Sequence, residues 1–133
     1  GATAATSLPT QVDLERVVDV EFVASVNSGA PWEFRPSVSR MKVHPGKLYK
    51  TTFFARNGSE LPLVGQAVPS VAPGQANRYL QKTECFCFTE QRFEAGEGRD
   101  MPVIFFIDPE LPEYLDTVTL SYTFFEQDRV AAR

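Results

Sequence analysis

At 133 residues, the chain is sized for one domain with one core. With a formal net charge of −4, it has no Lys/Arg block of the kind that marks a nucleic-acid surface. The hydrophobic fraction of 43% is ordinary for a folded globular protein and argues against disorder. The longest apolar run, Pro102-Val103-Ile104-Phe105-Phe106-Ile107, falls far short of the ~20 residues that cross a bilayer. The first residues, Gly1-Ala2-Thr3-Ala4-Ala5-Thr6, lack the basic and apolar regions of a signal peptide. The chain does not begin with Met, and the expectation is a fragment with room for a membrane anchor upstream of residue 1.

Residues 1–14 read as a flexible lead-in, being small and polar without a period. Val18, Val20, Phe22, Ala24 and Val26 then alternate with polar positions, as in a half-buried strand. Asn27-Ser28-Gly29-Ala30-Pro31 breaks it. A second strand is expected from Val38 to Val43, ending at the turn signal His44-Pro45-Gly46, and a third from Lys47 to Arg56. Asn57-Gly58 predicts a two-residue hairpin turn with positive φ at both positions. Leu63 to Val71 is a strand broken by Pro69, and Pro73-Gly74-Gln75-Ala76 a loop. Lys82 to Phe93 reads as one long strand, and Ala95-Gly96-Glu97-Gly98 as the turn after it. Arg99 to Ile107 follows, with Pro102 indicating an edge or a bulge. Asp108-Pro109-Glu110-Leu111-Pro112 is a loop, and Thr117 to Phe125 a final alternating strand. About seven short strands separated by turns predict an all-β fold, an immunoglobulin-like sandwich, over residues 15–126, with a polar tail at 127–133.

The chain has two cysteines, and both fall in Cys85-Phe86-Cys87. A disulfide scaffold would use distant pairs that close long loops. In an unbroken strand, residues two apart share a face. Phe86 and Phe88 would then face the core, and Cys85 and Cys87 would share the opposite, exposed face. Their Cα atoms would lie ~6.6–6.8 Å apart, at the outer limit for a disulfide, so such a bond would be easily reduced. Structural zinc wants four ligands, and one strand supplies two. A soft ion of low coordination number suits two thiolates, and Cu(I) is the biological candidate. Two chains meeting across this strand could hold two Cu(I) ions on four thiolates. The tripeptide alone leaves three readings open: a soft-metal pair, a redox pair, or two inert thiols.

The surrounding sequence resembles a known family. Cys85-Phe86-Cys87-Phe88-Thr89-Glu90-Gln91 is similar to the signature of the CtaG family of cytochrome c oxidase assembly proteins. Pro31-Trp32-Glu33-Phe34, Asp100-Met101-Pro102-Val103, Ile107-Asp108-Pro109 and Leu120-Ser121-Tyr122-Thr123-Phe124-Phe125 resemble further family segments in the same order. The approach Tyr79-Leu80-Gln81-Lys82-Thr83-Glu84 departs from the Tyr-Phe-Asn-Lys-like stretch of most members.

The resemblance implies an immunoglobulin-like domain on the outer side of an energy-transducing membrane, anchored by one N-terminal helix. That is the periplasmic side of the inner membrane in a bacterium and the intermembrane space in a mitochondrion. It also implies Cu(I) bound at Cys85 and Cys87 and delivery to the copper B centre of cytochrome c oxidase subunit I. The expected partners are therefore subunit I, a copper-donor protein and, when copper is loaded, a second copy of the chain. No nucleic-acid partner is expected.

Met101 is the next candidate ligand, with core packing as the plainer role; Met41 reads as core. Trp32 reads as a buried anchor. Lys82 and Arg92 flank the motif and could stabilise thiolates, although strand parity points Lys82 away from the cysteines. His44 reads as a solvated turn residue. Asn57-Gly58-Ser59 matches a glycosylation sequon, which the hairpin turn accounts for without modification. One His, no phosphate loop and no Ser/His/Asp set predict a protein that is not an enzyme. The competing functions are a thiol–disulfide redox protein and a metal-independent scaffold for oxidase assembly.

Overall fold

The structure is a computed structural model, described here for residues 11–27, 30–85 and 90–127. Among them lie nine strands: β1 (Val18–Val26), β2 (Trp32–Pro36), β3 (Arg40–Val43), β4 (Tyr49–Asn57), β5 (Leu63–Ala72), β6 (Leu80–Cys85), β7 (Gln91–Phe93), β8 (Gly98–Ile107) and β9 (Thr117–Glu126). A 3-10 turn, Gly74–Tyr79, stands between β5 and β6, where a loop was expected. The strands form two sheets, ordered β3-β1-β9-β5-β7 and β2-β4-β8-β6. β1 and β9 run parallel; every other described pairing is antiparallel. The expected all-β sandwich is therefore what the chain forms.

Alternation in sequence becomes alternation in burial. Val118, Leu120, Tyr122 and Phe124 of β9 all point inward, as do Val18, Val20 and Phe22 of β1. From the facing sheet come Phe53 and Ala55 of β4 and Met101, Val103, Phe105 and Ile107 of β8. The two layers meet through aromatic rings. Phe53 lies edge-on to Tyr122 at 4.9 Å and to Phe22 at 6.2 Å; Trp32 lies edge-on to Phe124 at 4.7 Å and to Phe93 at 5.0 Å. Each such pair adds roughly 0.5–1.5 kcal/mol beyond the area it buries. Trp32 is thus the buried anchor that was expected, and Met101 is core.

The strand count differs from the expected seven for two reasons. β2 escaped notice because its five residues, Trp-Glu-Phe-Arg-Pro, offer only two inward positions, Trp32 and Phe34. The expected strand from Lys82 to Phe93 is divided: β6 closes one edge of the four-stranded sheet, and β7 lies at the edge of the other. The chain therefore crosses between layers after Cys85.

Asn57-Gly58 is not the expected hairpin turn. Among the described residues positive φ occurs only at Gly46 and Gly96. Asn57 is instead a fully buried corner. Its Nδ2 donates to the carbonyls of Leu61 (2.7 Å) and Glu94 (3.2 Å), and its Oδ1 accepts from Ser59 N at 2.9 Å. Its amide is thus occupied by the corner itself. β5 continues through Pro69, which the fold tolerates because β7 pairs only with Leu63 to Gly65 and leaves that edge open.

Candidate functional site

The candidate site is built on β6. Leu80 and Lys82 point inward, as simple alternation requires. The register against β8 then slips: Lys82 faces Phe105, but Glu84 faces Ile104, so two steps on β6 match one on β8. Thr83 is the extra residue, and its hydroxyl donates to Ile104 O at 3.3 Å. The slip inverts parity, and Cys85 turns inward. It is 7% exposed and belongs to the core cluster.

This corrects the expectation that Cys85 lies on an exposed outer face. The parity count assumed unbroken alternation, and the bulge at Thr83 breaks it. Phe86, Cys87 and Phe88, whose faces were part of the same expectation, lie outside the described residues. Cys85 is disulfide-bonded, and the sequence holds one other cysteine, Cys87.

Inside the sandwich, Cys85 Sγ lies 2.9 Å from the Tyr122 hydroxyl. A disulfide sulfur carries no proton, so the phenol is the donor. Tyr122 is fully buried, and burial pushes its pKa well above the ordinary phenol value. It therefore stays a neutral hydroxyl and can donate to sulfur in either redox state. To a thiolate, that hydrogen bond would be charge-assisted.

Lys82 shares this interior, contrary to the expectation that it points away from the cysteines. Its side chain is completely buried. Its ammonium sits 5.6 Å from the centroid of the Tyr122 ring and has no hydrogen-bond partner among the described residues. Burial lowers its pKa from 10.5 to about 8. Sequence reasoning discounted this residue; its signal, a lysine two positions from an inward-facing leucine on a strand, became meaningful only with the fold.

The remaining candidates separate from this cluster. Met101 is on the same inward face of β8, two residues from Val103, which pairs with Cys85. Arg92 lies on β7 in the other sheet, bonded to Glu94 at 2.9 Å. His44 is partly buried, with Nδ1 2.9 Å from the carbonyl of Arg16, rather than simply solvated. No group of three or more His, Cys, Asp or Glu side chains converges among the described residues. Of the groups that meet at Cys85, the Tyr122 phenol is a hydrogen-bond donor and the sulfur is the ligand type, one that suits a soft ion of low coordination number better than calcium.

Fold and site together define a β-sandwich domain that carries a cysteine pair beginning at the end of an edge strand. The chain matches the family described as cytochrome c oxidase assembly protein CtaG/Cox11 over residues 1–126, and it belongs to that family. It is 41% identical over 133 residues to the cytochrome c oxidase assembly protein CtaG of Ruegeria pomeroyi, covering 96% of this chain and 70% of that one. It is 42% identical over 117 residues to the mitochondrial cytochrome c oxidase assembly protein COX11 of Mus musculus, covering 84% of this chain and 42% of that one. The human mitochondrial COX11 is 39% identical over a segment of the same length.

Proposed function

We propose that this chain is a Cu(I) metallochaperone that helps insert copper into the copper B centre of cytochrome c oxidase subunit I, using the thiolates of Cys85 and Cys87. The observation that carries the reading is the placement of Cys85. A soft donor stands at the end of an edge strand, backed by a phenol that donates to its sulfur at 2.9 Å. The family's role in oxidase assembly supplies the setting. Subunit I is the recipient in this reading, and a separate copper protein the donor. An upstream helix would hold the domain on the periplasmic or intermembrane-space side.

Loading requires the disulfide to be opened first. A dithiol reductant gives up two electrons and two protons, becomes a disulfide itself, and leaves two thiols here. Copper binding then displaces the thiol protons, because the thiolate is the ligand. Tyr122 orients one sulfur and stabilises its anion. Transfer proceeds by exchange: a ligand of the recipient enters the open position of low-coordinate copper as a thiolate leaves. No bond in a substrate is made or broken, so the protein is not an enzyme in this reading.

The second reading is a thiol–disulfide redox protein, favoured by the bonded state of Cys85. Anaerobic Cu(I) titration of the fully reduced protein separates the two. About one copper per chain, with a mass corresponding to a dimer, is expected for a cluster shared across two chains. Cys85→Ser and Cys87→Ser should each abolish stoichiometric binding while keeping the cooperative unfolding transition. Tight binding retained in the double variant would end the copper reading. A loaded monomer would end only the shared cluster.

A further inference from the structure

Lys82 is the least comfortable group in the sandwich. A buried ammonium without an anion is strongly unfavourable, and folded proteins pair such groups or lose them. Here the side chain is completely buried, and no carboxylate or carbonyl among the described residues takes its hydrogens. The six ion pairs of the described residues all leave it out. The face of Tyr122 is turned toward it, at 5.6 Å.

Its position makes the discomfort specific. Under plain alternation, Lys82 and Cys85, three residues apart, would project from opposite faces of β6. The register slip at Thr83 puts both inside, where both meet Tyr122, one over its ring and the other at its hydroxyl. The bulge therefore brings a cation and a sulfur ligand to one aromatic side chain.

We infer that Lys82 is the counter-charge of the metal site, unpaired beside a neutral disulfide and neutralised when an anionic copper–dithiolate forms. This rests on the copper reading above. A Cu(I) ion held by two thiolates is one negative charge in excess, and a two-copper, four-thiolate cluster is in excess by one per chain. The disulfide form carries no charge at sulfur, so among the described residues the cation has no anion to pair with. Reduction and loading create the missing anion on the same interior face. At neutral pH the amine remains mostly protonated, as the role requires. The attraction acts in a low-dielectric interior, where one charge matters more than at the surface.

The test is the Cu(I) affinity of reduced protein, measured by competition against a chromophoric Cu(I) chelator at fixed pH. Lys82→Met and Lys82→Gln remove the charge and Lys82→Arg keeps it; the thermal transition of each apo protein reports folding. Both neutral variants are expected to bind Cu(I) about 10–100-fold more weakly, the usual cost of removing a group that supports metal ligands. Lys82→Arg is expected to stay within about threefold of the unaltered chain, since charge rather than shape is the requirement. Unchanged affinity in either folded neutral variant overturns the inference. An equal loss in Lys82→Arg also overturns it, because shape would then be what matters. If the unaltered reduced chain itself takes no copper, the copper reading falls first. If that chain binds and the neutral variants match it, only the counter-charge falls.

Discussion

The same lysine makes a prediction about stability whose sign is opposite to that for copper. Its pKa falls from 10.5 in an exposed chain to about 8 in the fold, so the fold disfavours its protonated form. Below about pH 8 both states are protonated, and the penalty is present in full. Between pH 8 and 10.5 the unfolded chain binds more protons than the folded one, so stability rises with pH. Above that range the penalty is gone. Lys82→Met keeps the length and removes the charge, so the disulfide-bonded apo protein should gain about 1–2 kcal/mol at pH 7, allowing for solvent screening and the lost contact with Tyr122. That gain should shrink as pH approaches 10.5. Urea midpoints of the two proteins at pH 7 and pH 10 measure it. A variant less stable at both pH values would show that Lys82 is structurally satisfied. A variant more stable in the apo form yet weaker for copper would mark a residue kept for function against the interest of the fold.

At the scale of elements, the places where sequence reasoning succeeded and failed have a common physical basis. β1 and β9 were readable because each buries one face over nine or ten residues and repeats its alternation four or five times. β2 has two inward residues and no room to show a period. The slip at Thr83 left no trace because threonine suits a regular strand as well as a bulge. The cysteine pair was recognisable as chemistry, but the direction of Cys85 depended on that one unmarked residue, so its face was misassigned. The buried lysine was lost with it. The Asn57-Gly58 signal failed because the asparagine amide finds buried carbonyls and does not need a turn with positive φ. Close packing at another glycine does constrain the sheets. A Cβ on Gly65 of β5 would run into the ring of Phe124 and lie 3.2 Å from Trp32. That ring is held edge-on between Trp32 and Phe93, so it has little freedom to move away. Gly65→Ala should therefore cost about 1–3 kcal/mol in a thermal or denaturant melt, the usual cost of overpacking. A neutral result would mean that the aromatic cluster is looser than its geometry implies.

For the whole molecule, the question is how a sulfur within the core becomes reachable by a partner. Cys85 is 7% exposed, and the proposed exchange of ligands would need contact with a metal held there. Global unfolding would be too rare and would destroy the site. The topology offers a smaller opening. β9 is held on both sides, by β1 and by β5, over eight residue pairs each. β8 is held by β4 and β6. Among the described residues β6 has a neighbour on one side only and is irregular at Thr83, and the next strand, β7, belongs to the other sheet. β7 is three residues long and pairs only with β5. The edges at β6 and β7 are therefore among the parts of the sandwich with few bonds to break, and β6 is the irregular one. Amide hydrogen exchange should show β9 and β4 opening only with global unfolding. The amides of β7 and of β6 beyond Thr83 should open with a free energy at least about 2 kcal/mol lower. Reduction of the disulfide should widen that gap at the rim and leave β9 unchanged, because the crosslink constrains only the chain beside Cys85. If β6 exchanged only by global unfolding in the reduced protein, the rim would not open on its own, and copper would have to be passed through a site reshaped by the partner.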